Sequence, residues 1–400
     1  MLKHYTSSAL ILLPYLFLFS GVSLFANDDK RMVLLSVIAL AAIALIHRTR
    51  FVKANLGNLL FVATLIFAAY VVIHNLYRDG SSSLMRAYFA PLLLLLFYPI
   101  QILTKKVWVG LCLLCSVLVF ANSAYFTFYL GLERNAGLMN VIPYATFCSG
   151  VAILSFHHAL QNIKSKTGII TLVSFLLSCA AVMLTLSRGV WLALLAALVI
   201  MLCFHAKNLK HLSRYFAIFI ISSAALLFIF KDQVEVRVDQ TMTEVHRIQS
   251  GDMKSSIGIR FQIWQAAYYI SQDHFWLGIG NEILPEIERL NQEGKASRDI
   301  INFHVYHFHN QFIDALVRFG FIGLLLFLPI YLIPIYIALK SNHTCRVAIL
   351  GLSTLYIIAS LTDVPFYHSQ TVLLYIMLMI PLCGFAQTQK NDKTEKTEKT

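Results

Sequence analysis

The run GVWLALLAALVIMLCFH, residues 189–205, carries no charged side chain and does not alternate apolar with polar positions. A lipid-facing strand alternates over about ten residues, whereas an uninterrupted apolar run satisfies its own backbone in lipid only as a helix. Similar runs recur along nearly all of the 400 residues, of which 58% are hydrophobic and 13% charged; soluble domains average about 25% charged. Crossing about 30 Å of hydrocarbon takes about 20 such residues. The candidate spans are 8–26, 32–47 (a short one), 57–74, 86–103, 108–130, 136–157, 167–186, 189–205, 214–230, 319–339, 346–362 and 365–387. This predicts an all-α polytopic membrane protein of about 12 transmembrane helices and sets aside a barrel.

The net charge of +12 is compatible with nucleic-acid binding by itself. In a membrane chain, however, Lys and Arg gather in cytoplasmic loops, and their placement tests that reading. With the amino terminus inside, the inside segments hold 13 Lys and Arg before the tail is counted, among them Arg48, Lys105 and Lys207; the short outside loops hold 6, namely Lys30, Arg31, Arg78, Arg86, Arg134 and Arg188. Both termini are therefore expected in the cytoplasm, with no nucleic-acid partner. Leu24 occupies the minus-three position before Ala26, where signal peptidase needs a small residue, so the first span is expected to stay as a helix. The seven cysteines fall in the spans or beside inside loops, which argues against a disulfide framework, and the Cys112–Cys115 pair lies within an apolar run, where packing outweighs redox chemistry.

Residues 1–230 are thus expected to form transmembrane helices 1 to 9 and residues 319–387 helices 10 to 12. Between them lies one long polar segment, 231–318, placed outside the cytoplasm, and long excursions of this kind usually carry function. Within it, Ser255 and Ser256 are candidate caps for a helix on which Ile257, Phe261, Trp264 and Tyr268 share one face, suited to a membrane surface. Gly278 and Gly280 should break that helix, and PEIERLNQEG should form a second short one, with Pro285 in its first turn and Gly294 after it. The tail 388–400, KNDKTEKTEKT in its last eleven residues, has no apolar face and reads as a disordered cytoplasmic extension.

Few side chains in the outside segments can do chemistry. Arg188 stands in a short turn between two spans, and Arg260 on the amphipathic helix; each can simply snorkel to lipid phosphates. HVYHFHN, residues 304–310, concentrates three histidines before a long apolar run. Metal ligation, interfacial packing and acid–base work are all open, although His304, His307 and His309 do not show the i, i+4 spacing of helical metal sites. Histidine alone among unperturbed side chains titrates near neutral pH, at about 6.5.

His309-Asn310, nine residues, Gly320, two residues and Gly323 together resemble the signature of the O-antigen ligase superfamily: histidine, then Asn, Ser or Gln, nine residues, and G-x-x-[GTY]. The SRG turn at Ser187–Gly189, Arg260 ahead of WLGIG, and Asp363 in SLTDV are similar to the ligase pattern as well. The resemblance implies a GT-C-type glycosyltransferase fold with one long periplasmic loop between helices 9 and 10, in a Gram-negative inner membrane. It implies transfer of a glycan from undecaprenyl pyrophosphate to a sugar hydroxyl of lipid A-core, inverting and metal-independent, with no cofactor. On this reading His309 is the general base, Arg188 and Arg260 clamp the pyrophosphate, and Asn310 and Asp363 help bind substrate, Asp363 orienting the histidine or the acceptor. An O-antigen polymerase and a protein O-oligosaccharyltransferase are the neighbouring readings. A lipid-linked glycan flippase or transporter is the reading from another class, disfavoured by spans whose central turns lack ionisable residues.

Overall fold

Polar residues that can take up a helix's first free amides punctuate the apolar runs. Asn58 accepts from Leu60 and Phe61, Ser81 from Leu84, Thr104 from Val107, Ser165 from Gly168, and Asn310 from Phe312 and Ile313. The computed structural model describes residues 2–78, 80–162, 164–206, 213, 220, 224 and 228–397. Its helices are α1 (Leu2–Ser20), α2 (Asp28–Ile46), α3 (Val52–Leu56), α4 (Leu59–Tyr77), α5 (Ser82–Phe97), α6 (Lys105–Ala124), α7 (Val141–Asn162), α8 (Lys166–Leu184), α9 (Arg188–His205), α10 (Lys231–Gln249), α11 (Ser256–Asp273), α12 (Ile283–Gln292), α13 (Arg298–Asn302), α14 (Gln311–Lys340), α15 (Arg346–Ser360) and α16 (Ser369–Thr397). No strand occurs among the described residues.

Among the described residues, six helical stretches are long and apolar enough to cross a membrane: Leu59–Tyr77, Lys105–Tyr129, Lys166–Leu184, Arg188–His205, Gln311–Lys340 and Ser369–Gln387. Three shorter apolar helices, Ser8–Ser20, Ser82–Phe97 and Arg346–Ser360, accompany them. The protein is a multi-pass helical membrane protein. Eleven of the twelve expected spans coincide with a helix; the other, 214–230, lies almost wholly outside the described residues. α16 is described as far as Thr397.

α7 and the apolar part of α16 form the centre. Nearly every residue from Pro143 to Ala159 is buried, as are Val372–Cys383, and a helix apolar on all sides belongs inside. Small residues let the two approach: a Cβ on Gly150 would lie 2.6 Å from Leu374 Cδ2. All seven cysteines are free thiols, with Cys112 and Cys115 buried on α6.

Outside this bundle, α11, α12, α13 and the first turns of α14 share a core of their own, including Ile263, Ile270, Ile287, Leu290, Phe308 and Val317. Ser255 caps α11 as expected. Ile257, Phe261, Trp264 and Tyr268 do share a face, and it is the one the protein leaves open: Ile259, Ile263, Ala266, Ala267 and Ile270 on the opposite side are buried, while Phe261 is 47% and Tyr268 59% exposed.

The apolar run expected from residue 319 begins at Gln311 as α14, whose backbone breaks at Gly320 (φ 69°, ψ −175°). A break inside a membrane helix frees backbone groups that lipid cannot satisfy, and here five of them find partners outside the helix. The carbonyls of Val317 and Arg318 accept from Ile279 and Gly280 (both 2.9 Å), and the amides of Phe321 and Ile322 donate to Phe275 and Trp276 (2.7 and 3.4 Å). The Phe319 carbonyl accepts from the Tyr70 hydroxyl at 2.7 Å, and His74 Nε2 lies 2.8 Å from the Leu277 carbonyl. The WLGIG loop thus slots into the break and holds the histidine-bearing end of α14 against α4. A Cβ on Gly320 would sit 2.2 Å from the Trp276 carbonyl oxygen, which is why the position is glycine.

Candidate functional site

α9 and α11 both begin at one cavity of about 420 Å³. Their first residues, Arg188 and Gly189 of α9 and Ser256 and Ile257 of α11, line it, so two positive helix ends face the same space. Gly189 permits this approach, since a Cβ there would come 2.6 Å from Thr362 Oγ1. Four guanidinium groups line the cavity, Arg134, Arg188, Arg237 and Arg260, against one carboxylate, Glu244. Glu244 already occupies an anion position: Oε1 accepts from Arg188 Nη2 at 2.9 Å and Oε2 from the Ile257 amide at 3.2 Å. Arg188 also donates to Thr241 Oγ1. The Arg260 guanidinium has no hydrogen bond or ion pair among the described residues.

Burial depresses the pKa of Arg260; the carboxylate of Asp363 offsets part of this, and Arg188 adds to it. Burial, then Arg134 and Arg188, bring Arg237 down to about 10, and Arg134 is lowered by burial and by Arg188. All three remain cations at neutral pH, and with Arg188 they outnumber the one carboxylate lining the cavity. Such a set favours an anion with several oxygens.

Arg237 has a second role. Its Nε and Nη2 both donate to the Leu186 carbonyl, at 2.7 and 2.6 Å. Leu186 holds φ 55°, a strained value for a branched side chain. The fork therefore clamps the turn that delivers Arg188.

The other half of the site lies beside Leu361 and Thr362, which also line the cavity. His309, with φ 49°, places Nδ1 3.7 Å from Asp363 Oδ1. That separation is an ion-pair distance rather than a hydrogen bond, and His309 Nδ1 is buried without a hydrogen-bond partner. Asn310 caps α14 and reaches the Leu361 carbonyl at 3.4 Å, tying the histidine turn to the Asp363 loop. Below it, Asp314 accepts from the Phe308 amide at 3.2 Å and pairs with Arg318 at 2.9 Å, while Arg318 donates to the Tyr306 carbonyl. Trp264 Nε1 donates to the Phe308 carbonyl at 2.8 Å. The turn is thus held from α11 and α14 together.

Asp363 is buried, which raises its carboxyl pKa, but the rings of His309, His368 and His307 outweigh this and hold it below the usual carboxylate range. Burial lowers His307 to about 3, only partly offset by Asp363, and lowers His368 too. Burial thus favours the neutral form of His307 and His368 beside the Asp363 carboxylate.

Of the sequence-predicted residues, the structure brings Arg188 and Arg260 to one cavity and Asp363, His309 and Asn310 to its edge, with His309 behind the Leu361–Thr362 wall rather than lining it. His304 stands apart in an exposed turn, bonded to the Asn302 carbonyl at 2.9 Å. Sequence reasoning missed Arg237, Thr241 and Glu244, although their i, i+4, i+7 spacing on α10 marks one helix face. It gave Arg134 and His368 no role, and no local pattern flags either.

Residues 173–328 match the family model described as O-antigen ligase. The match spans Arg188, Arg237, Arg260, His309, Gly320 and Gly323, and stops short of Asp363 and His368. A protein of Haemophilus influenzae carrying the name "Uncharacterized protein" is 24% identical over 333 residues, 79% of this chain and 81% of that protein. With the histidine–glycine signature inside the matched segment, this multi-pass membrane protein is similar to the O-antigen ligase family over residues 173–328.

Proposed function

We propose that the protein is an O-antigen ligase with a GT-C-type fold of about twelve membrane helices. It transfers a glycan from undecaprenyl pyrophosphate to a sugar hydroxyl of lipid A-core in the inner membrane of a Gram-negative bacterium. The cavity faces the periplasm and both termini the cytoplasm. The observation that carries this reading is the convergence of four arginines on one cavity edged by the His309–Asp363 pair.

Two obstacles limit such a transfer: a sugar hydroxyl is a weak nucleophile, and the departing pyrophosphate carries concentrated charge. Arg188 and Arg260 grip the pyrophosphate oxygens, assisted by Arg134, and Glu244 yields its place to them. Stabilising charge where it develops is typically the largest catalytic contribution. Asp363 orients His309 by accepting from Nδ1–H, which leaves Nε2 as the base for the hydroxyl proton, typically a gain of about 10² to 10⁴-fold. Asn310 positions the acceptor beside that nitrogen. Direct displacement then inverts the anomeric carbon. Permanently charged guanidinium groups supply the countercharge, so the transfer is metal-independent.

The test is transfer in vitro from purified prenyl-linked glycan to lipid A-core. Wild-type protein should form product in EDTA, His309→Ala none, and Asp363→Asn at least about tenfold less. Elongation of the prenyl-linked glycan with lipid A-core untouched would instead identify a polymerase. In a deletion strain the ligase reading requires cores without O-antigen and polymer held on the carrier.

A further inference from the structure

Behind the proposed base, His307, Asp363 and His368 come from two loops, the turn before α14 and the α15–α16 connection. One ligand atom from each lies within 4.8 Å of the other two. The His307 ring is packed 4.3 Å from that of His309 and 5.8 Å from that of His368, centroid to centroid. His368 Nε2 is buried with no hydrogen-bond partner, and a buried polar atom in that state calls for an explanation.

We infer that His307, Asp363 and His368 form a binding site for a borderline-soft divalent cation, zinc foremost, whose occupation takes Asp363 away from His309 and reversibly inhibits the enzyme. Two imidazoles and one carboxylate with a fourth position open is a donor set suited to zinc and poorly suited to magnesium or calcium, which demand oxygen. Zinc bonds of about 2.0–2.1 Å put tetrahedral ligands about 3.4 Å apart, so the three atoms need draw together by little more than 1 Å. The loops carrying them are bridged by the Asn310–Leu361 bond and by the Phe366 amide on Gln311 Oε1 at 2.8 Å, so they start in register.

The nearest cation on α14, Arg318, lies 4.5 Å over the Tyr367 ring but is neutralised by Asp314 at 2.9 Å.

The regulatory half of this inference rests on the proposed roles of His309 and Asp363; the binding half does not. The experiment uses the full-length protein in nanodiscs, stripped with EDTA. Zn²⁺ is titrated by calorimetry, and Co²⁺ is followed by its visible d–d absorption. Wild type should bind one equivalent and give a tetrahedral-type Co²⁺ band. His368→Ala and His307→Ala, each checked for an intact thermal transition, should bind at least tenfold more weakly and lose the band. Transfer by wild type should fall at least tenfold at one equivalent of Zn²⁺ and recover with EDTA, while each variant, compared with its own metal-free rate, should lose that sensitivity. No stoichiometric binding to wild type, or binding undiminished in both variants, overturns the site. Binding at one equivalent without slowing an active enzyme overturns the inhibition. Binding by a protein that never transfers glycan leaves the site standing and removes the ligase reading instead.

Discussion

Replacing Gly320 by alanine tests the claim that a docked loop, rather than helix continuity, positions the histidine turn. At φ 69°, ψ −175°, the backbone lies in a region open essentially to glycine alone, and a side chain there costs about 1–3 kcal/mol. The added Cβ would also meet the Trp276 carbonyl oxygen at 2.2 Å and the Leu277 nitrogen at 2.5 Å. Both are backbone atoms, so relief requires the loop to withdraw. Withdrawal strains or breaks four hydrogen bonds between residues 275–280 and 317–322, at about 0.5–1.5 kcal/mol each. Partial loss of these together with the strain amounts to about 3–5 kcal/mol of local stability. Gly294 provides the control: its φ is 72° but a Cβ there meets nothing within 4 Å, so Gly294→Ala should cost only the left-handed penalty, about 1–2 kcal/mol. Hydrogen–deuterium exchange of the amides of Ile279, Gly280 and Phe321 reads the difference directly. Gly320→Ala should speed their exchange by about two to three orders of magnitude, at 1.4 kcal/mol per tenfold, and Gly294→Ala should leave it nearly unchanged. Because a displacement of about 1 Å can cost about 10²-fold in rate, glycan transfer should fall similarly. Wild-type protection of those amides in Gly320→Ala would refute the account of the break.

Arg237→Lys keeps a cation at the cavity but removes the fork on the Leu186 carbonyl. The change should cost about 1.5–3 kcal/mol of local stability and show in transfer as a raised KM for the prenyl-linked donor; an unchanged KM with a lowered kcat would contradict a role in presenting Arg188. Stability should also depend on acid pH. His307, lowered to about 3 in the folded protein, takes up a proton near 6.5 when unfolded, so between those values the unfolded chain holds more protons. Stability is then full above about 6.5 and declines as pH falls, by at most about 1.4 kcal/mol per unit for each such histidine. Asp363, depressed when folded, adds its own loss only below its unfolded value of about 3.9. Melting temperatures measured from pH 8 to 4 should fall for wild type and fall less for His307→Gln; a flat profile for wild type would count against neutral burial.

What could be read without coordinates follows from interactions that are local in the chain. Apolar length decided that residues such as Leu59–Tyr77 and Arg188–His205 are membrane helices, because in lipid a segment must satisfy its own backbone. The spacing of His309, Gly320 and Gly323 pointed to one family, and Arg188, Arg260, Asn310 and Asp363 came with it as expectations. Tertiary structure alone decided which polar groups share a space. Arg134 comes from the loop before α7, Arg237 and Glu244 from a helix between distant spans, and His368 from the α15–α16 connection; their meeting depends on packing between segments far apart in sequence. The same holds for Gly320. The chain marks it as a glycine in an apolar run, and only the docked WLGIG backbone, at van der Waals range from where a Cβ would stand, explains why no other residue serves there.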